Sequence, residues 1–300
     1  MTPSRGAGGR IVCFGDIAND VVVAPRAEIR ADTDTPSHIR RTPGGSAANT
    51  AAWLGLLGAP TDLVASVGVA DLEAHAEWLR AQGVTPHLHI ATGLETATIV
   101  IVVEGDRRTM LTDRGANRGL SDAFVTDALL DEAGILHLTG YNLLDGPRAR
   151  GLRRLIDRAH ERGLVVSMNP GSAGYIADYG AETFVAEIDG VDIVVANDDE
   201  AALLTGVDGG TAATRVLAER HGIAVVTQGP RSVLVAERGA APREVQVPAA
   251  RVIDPTGAGD AMAAGFLNSW RVDGDIVRAA EAGIIIAAQA IQVYGGRPPF

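Results

Sequence analysis

The chain contains no lysine: all 26 of its basic residues are arginine. That absence excludes a Walker A loop, whose lysine sits on the outer phosphates of a nucleotide. It also excludes the strand lysine of protein kinases and Schiff-base or pyridoxal chemistry. Phosphate, if this chain handles it, must be met by backbone amides, arginine or a metal ion. The single cysteine, Cys13, lies in an apolar run, so no intrachain disulfide exists and a reducing cytoplasm is expected. Aromatic residues are only 4% of the chain, leaving few platforms on which single-stranded bases could stack. Basic residues are outnumbered 26 to 37 by acidic ones, for a net charge of −11, which argues against nucleic acid or an anionic membrane as the main partner. Met1 to Gly9 lacks the apolar centre of a signal peptide. The apolar stretch Gly283–Val293 is too short to span a bilayer and is interrupted by Gln289 and Gln292.

What is present is a chain of 300 residues, 46% hydrophobic, enough for one large α/β domain or two modest ones. Strand-like apolar runs occur at Arg10–Phe14, Asp62–Val67, Ile135–Leu138, Leu164–Ser167, Asp192–Val195, Ala224–Thr227 and Ser232–Ala236. Helical stretches lie between them at Ala47–Leu57, Leu72–Gln82, Arg148–Arg162 and Thr211–His221, and two more, Ala258–Trp270 and Asp275–Val293, fill the end. This alternation predicts a parallel sheet with right-handed crossovers. Two stretches break the rhythm. Val21–Thr42 carries scattered β-type residues, and Glu95–Leu111 reads as a hairpin turning at Glu104-Gly105-Asp106. Together they predict a small separate sheet, either a lid over a site or an edge decoration.

Two glycine-rich segments carry chemistry. Asp254-Pro255-Thr256-Gly257-Ala258-Gly259-Asp260 opens a helix whose first amides, at Gly257, Ala258 and Gly259, have no partners in the helix itself. Small residues let an anion approach there, and the helix dipole favours negative charge. Asp260 would repel a phosphate unless it had a task, such as taking a proton from an attacking hydroxyl. The competing account is a glycine-rich turn with Asp260 complementing the dipole. The second segment, Pro43-Gly44-Gly45-Ser46-Ala47-Ala48-Asn49, also opens a helix. Asn49 offers a donor and an acceptor suited to sugar hydroxyls; the competing account makes Ser46 an N-cap and Asn49 incidental.

This pair of segments, in this order and at this separation, resembles the two signatures of ribokinase-like (PfkB-type) carbohydrate kinases, and supporting segments run from Gly15 to about Gly296. The resemblance implies a single kinase domain over 1–300, a three-layer Rossmann-type α/β sandwich. Its central sheet would be mostly parallel, with a small β-sheet lid drawn from about 16–43 and 95–115. It implies an ATP-dependent transfer to a hydroxyl of a small sugar or sugar-like substrate, with Asp260 as base and Gly257, Ala258 and Gly259 as anion hole. Asp20, Gly44, Gly45, Asn49 and Arg114 would contact the acceptor. Asn197 and Glu200 match an Asn-x-x-Glu that organises Mg2+, water and phosphate, and Thr227 and Gly229 match a turn that contacts the nucleotide. Asp254, with the loop around Tyr294–Gly296, would hold a monovalent cation such as K+. A homodimer through the lid is a further implication.

Each transfer has a plainer competitor: Asn197 and Glu200 also fit a helix capping box, Asp20 an edge-strand charge, and Thr227 an ordinary strand position. His89 and His137 read as packed or solvated, not catalytic. Arg107, Arg108 and Arg114 surround the hairpin, where arginine forks suit a carboxylate or phosphate on the acceptor; solvated charge is the competing account for Arg107 and Arg108. Two departures fall on the acceptor side. Ala18 stands where ribokinases carry an amide side chain, and Gly140 where ribokinase has an acid. A nucleoside kinase on the same scaffold and a non-catalytic sugar-binding protein are the alternatives. A nicotinamide-dependent dehydrogenase is disfavoured, because no Gly-x-Gly-x-x-Gly follows the first strand.

Overall fold

The computed structural model describes residues 9–104, 107–143 and 149–298. Its strands are β1 (Arg10–Phe14), β2 (Ala18–Pro25), β3 (Ser37–Gly44), β4 (Thr61–Val67), β5 (Val84–Ile90), β6 (Ala97–Glu104), β7 (Arg107–Asp113), β8 (Ala133–Thr139), β9 (Val165–Asn169), β10 (Ile193–Asn197), β11 (Ile223–Thr227), β12 (Ser232–Glu237) and β13 (Arg243–Gln246). The helices are α1 (Ser46–Leu56), α2 (Leu72–Ala81), α3 (Asp127–Asp131), α4 (Ala149–Glu161), α5 (Ala173–Tyr179), α6 (Ala181–Glu187), α7 (Asp198–Thr205), α8 (Gly210–His221), α9 (Ala258–Asp273) and α10 (Ile276–Ala290).

Among these residues the large sheet runs β13-β12-β11-β10-β9-β8-β1-β4-β5. Neighbours from β5 to β11 pair in parallel, and β12 and β13 close the edge antiparallel. Its inner strands are buried on both faces, as in the wholly buried β4 and β9, which is why they read as unbroken apolar runs in the sequence. Two cores flank the sheet. One gathers α1, α2, α9 and α10 around Trp53, Phe266 and Trp270. The other gathers α4, α6, α7 and α8 around Leu155, Ile156 and Phe184. The fold is thus the predicted three-layer α/β sandwich.

The strand order reverses between β1 and β8. From β1 the chain winds outward to β4 and β5, and from β8 it winds the other way. A crevice outside the carboxyl ends of the strands forms at such a switch point, where ligands of open α/β sheets bind. Register makes those ends coincide: Phe14 pairs Leu138, Thr139 pairs Asn169, and Asn197 pairs Thr227.

The small sheet, β3-β2-β6-β7, stands apart from the large one. The predicted hairpin is β6–β7, although its turn at Gly105-Asp106 lies outside the described residues, as do Met1 to Gly8, Arg148 and the side chains of Arg107 and Arg108. The β2–β3 register sets Ala18 opposite Gly44 and Asp20 opposite Thr42. Two expectations shift. The last helix ends at Ala290, and Ile291–Val293 form turns onto the preceding residues. β5 and β13 were not foreseen, since the imidazoles and proline of β5 and the charges of β13 mask their edge-strand character.

Candidate active site

Helix α1 begins without a side chain of its own to cap it. Gly45 is the N-cap, at φ +94°, and a Cβ there would strike the backbone of Asp16 and Ile17. The capping group comes from the loop just after β1: Asp16 Oδ2 accepts the Ser46 amide at 2.7 Å and Oδ1 the Ala47 amide at 3.3 Å. Thr139, from the end of β8, donates its hydroxyl to the same Oδ1 at 3.1 Å. Ser46 is therefore not the N-cap. Its hydroxyl points out of the first turn and donates to Asp260 Oδ1 at 2.7 Å, and Asn49 Nδ2, one turn on, donates to Asp260 Oδ2 at 2.9 Å. The two glycine-rich segments thus meet at one carboxylate, so Asn49 is not an incidental polar position.

Asp260 lies in the first turn of α9, whose N-cap Gly257 adopts a left-handed conformation at φ +74°. The N–H groups of Gly257, Gly259 and Asp260 donate to no backbone carbonyl among the described residues. Ala258 differs from expectation, its amide closing a turn onto the Pro255 carbonyl at 3.3 Å. Burial raises the Asp260 carboxyl to about 7; the bonds from Ser46 and Asn49 oppose that rise, while the charge of Asp16 adds to it. Asn169, at the end of β9, contacts the same turn through a 3.5 Å bond to the Gly259 carbonyl. Asp254 clamps the loop from behind, its two oxygens accepting the amides of Thr256 at 2.9 Å and Gly295 at 3.0 Å.

Beside this centre, Asp20 is 3% exposed and its Oδ1 has no hydrogen-bond partner among the described residues. Its carboxylate fills the space where a Cβ on Gly44 would stand. Burial pushes it up to about 7, against the pull of Arg297. Asp20 is therefore not a solvated edge-strand charge. Arg114 reaches across from the end of β7 and donates to the Tyr141 carbonyl at 3.3 Å. Gly140 precedes Tyr141, and a Cβ there would collide with the Pro170 carbonyl and the Phe184 ring. An acid cannot occupy that position in this chain.

The remaining predicted residues collect one step along the sheet, at the ends of β10 and β11. Asn197 and Glu200 form a full capping box: Asn197 Oδ1 accepts the Glu200 amide at 2.8 Å, and Glu200 Oε2 accepts the Asn197 amide at 3.0 Å. Glu200 is buried, and desolvation raises its carboxyl to about 6. Thr227 donates to the Ala196 carbonyl at 3.4 Å, and Gly229 turns the chain toward β12 at φ +59°. Arg231 in that turn pairs with Asp198 at 2.6 Å. Tyr141 lies between the two groups, its phenol pushed up by burial and by the charges of Asp16, Asp260 and Glu200. His137 is buried against Ser167 and His89 stacks on Phe124, so both are packed, as expected.

A half-buried, desolvated carboxylate beside free helix-start amides, at a switch point, suits transfer of an anionic group to a hydroxyl. The profile of pfkB family carbohydrate kinases matches residues 9–300. The chain belongs to that family. Among characterised relatives, it is 29% identical to an ATP-dependent ribose-1-phosphate kinase from Halopiger xanaduensis, over 91% of this chain and 88% of that one. The solved structure of adenosine kinase from Sinorhizobium meliloti superposes with a TM-score of 0.87 at 28% identity, covering 97% and 96% of the two chains. An E. coli protein solved in complex with ATP and Mg2+ superposes at 0.85 over 96% and 94%; at 18% identity it shows the shared fold alone. The chain is thus a kinase of the carbohydrate and nucleoside type, and no helix among the described residues is long and apolar enough to cross a membrane.

Sequence reasoning missed Asp16, Thr139, Asn169 and Arg297. Thr139 ends β8 and Asp16 follows two residues after β1, both at the crevice, and the Asn169-Pro170 break after β9 is the same signal. Arg297 had none.

Proposed function

We propose that this kinase transfers the γ-phosphoryl group of ATP to a hydroxyl of a small sugar or sugar-like acceptor, with Asp260 as general base. The observation that carries this reading is the Asp260 carboxylate, half-buried at a free helix start and held on both oxygens by the Ser46 and Asn49 side chains. Asp260 accepts the acceptor's proton as the new O–P bond forms and the bond to the β-phosphate oxygen breaks. The Gly257 and Gly259 amides, with the α9 dipole, stabilise the transferring phosphoryl group without lysine. Ala258 contributes closeness of approach, its own amide being turned onto Pro255.

Asp20, with a buried and unpartnered Oδ1, binds acceptor hydroxyls alongside Asn49, over the Gly44-Gly45 corner, with Arg114 at the far side. Thr227 and Gly229 flank the nucleotide. Among the described residues no three His, Cys, Asp or Glu side chains gather as a metal site, and Glu200 is a buried carboxylate one step from the crevice. That set fits Mg2+, which is held mainly by phosphate oxygens and water and by few carboxylates. When bound, Mg2+ neutralises the outer phosphates. Both oxygens of Asp254 already accept amides, and the Gly296 carbonyl accepts the Trp53 indole at 2.9 Å; no step depends on a K+ ion there. The β2-β3-β6-β7 sheet serves as the lid, in a single kinase domain, and a pair of such lids is the natural dimer contact.

A nucleoside acceptor is the second reading, favoured by the S. meliloti adenosine kinase likeness. ADP release is measured with ribose, ribose 1-phosphate, fructose, adenosine and cytidine. Sugar turnover with the nucleosides inert supports the first reading, and the reverse supports the second. Asp260→Asn lowers turnover by about two to four orders of magnitude; near-normal turnover in that variant would sink the assignment of the base.

A further inference from the structure

The C-terminal loop carries a cation into the centre of the site. Arg297 is 5% exposed, with its guanidinium over the Trp78 ring at 4.6 Å. Nη2 donates to the Gly44 carbonyl at 2.5 Å, and Nε donates to Asn49 Oδ1 at 3.4 Å. Asn49 is the residue whose Nδ2 donates to Asp260. Among the described residues Nη1 has no hydrogen-bond partner and no carboxylate lies within ion-pair distance of this guanidinium. The charges it feels, Asp20 and Asp16, are further away.

Burying a guanidinium without a direct counter-ion is costly, and an apolar side chain of equal volume packed on Trp78 would be the cheaper way to anchor a loop. The charge therefore points to a task. An amide side chain has one accepting oxygen and one donating nitrogen, and in an unconstrained Asn49 either could face Asp260. A guanidinium only donates. With Arg297 on one side, the Asn49 oxygen must face Arg297 and its nitrogen must face Asp260.

We propose that Arg297 is a positioning residue: acting through Asn49, it fixes the amide so that the Asp260 carboxylate is held in one orientation with a lone pair directed at the acceptor hydroxyl. The proposal rests on Asp260 being the base. A structural role, tying the last loop to the Gly44 corner, is the alternative to be separated from it.

The test is a double-mutant cycle on the full chain. Wild type, Arg297→Met, Arg297→Lys, Asn49→Ala and the two combinations are assayed with ATP and the member of the acceptor panel turned over fastest. ADP release with water as acceptor is followed in parallel. Arg297→Met lowers kcat about tenfold to a hundredfold, the size expected for a misoriented catalytic group, and leaves KM for ATP within about twofold. Arg297→Lys, a point donor that keeps the charge, recovers part of the loss. In the Asn49→Ala background neither Arg297 substitution changes kcat further. Independent losses that multiply would overturn the proposal, as would an effect confined to KM or to the folded fraction. Should Arg297→Met fail to fold, Arg297→Lys carried through the same cycle decides. Asp260→Asn keeps the two claims apart. If it turns over normally, the base is misassigned; if it is inactive while the cycle is additive, only the positioning role falls.

Discussion

With Asp260 as the proposed base, its raised carboxyl makes catalysis and stability oppose each other through a single proton. Folding moves this group from an ordinary 3.8 to about 7, chiefly by desolvation. The folded apo protein therefore favours the neutral acid. Its stabilising contribution is complete below about pH 4, is lost as pH rises through about 7, and stays lost above that. At 1.36 kcal/mol per pKa unit the total is about 4 kcal/mol. Asp260→Asn removes the titration while keeping a neutral group of the same shape. Placing a second amide nitrogen opposite Asn49 adds a pH-independent offset and leaves the slope alone. The variant thus gains on wild type by about 2 °C in Tm per pH unit between pH 4 and 7, with a plateau above. Scanning calorimetry of both proteins without nucleotide, from pH 4 to 9, measures the difference. Asp20, also raised to about 7, titrates in both proteins and cancels. In wild type the acid limb of kcat/KM falls near pH 7, because the base must be ionised to work. A Tm difference that is flat across this range refutes the burial argument, whatever happens to turnover.

Ser46→Ala removes one of the side-chain bonds that hold the Asp260 anion, so the acid limb of kcat/KM moves to higher pH, and kcat at pH 7 falls about tenfold; a pH–rate profile checks both. Asp16→Ala leaves the first amides of α1 without their cap, lowering stability by about 1–2 kcal/mol in urea unfolding and misplacing Ser46. Gly140→Ala forces a Cβ against the Pro170 carbonyl and costs about 1–3 kcal/mol by the same assay, with the crevice distorted at its acceptor side.

Local chemistry was legible where one segment suffices to express it. The parallel strands announce themselves because both of their faces are buried, and the α9 start because Gly257, Ala258, Gly259 and Asp260 hold a helix opening within four residues. What single segments cannot express is which of them meet. Ser46 and Asn49 look like a cap and an incidental amide until the fold sets them against a carboxylate 214 and 211 residues away. Asp16 supplies the cap that α1 lacks from another strand, so reading α1 alone assigned that job to Ser46. Glu200 shows that two readings need not exclude each other: a capping box occupies one oxygen and leaves a buried carboxylate beside the crevice. Arg297 is the extreme case. Its meaning depends on Asn49, whose meaning depends on Asp260, so no local pattern could mark it. Gly140 reverses the lesson: there a single absent side chain, noticed first as a departure from ribokinase, is required by the Pro170 carbonyl behind it. No acid fits at that corner of this chain, and the charged side chain nearest in the fold, Arg114, donates to the adjacent Tyr141 carbonyl instead.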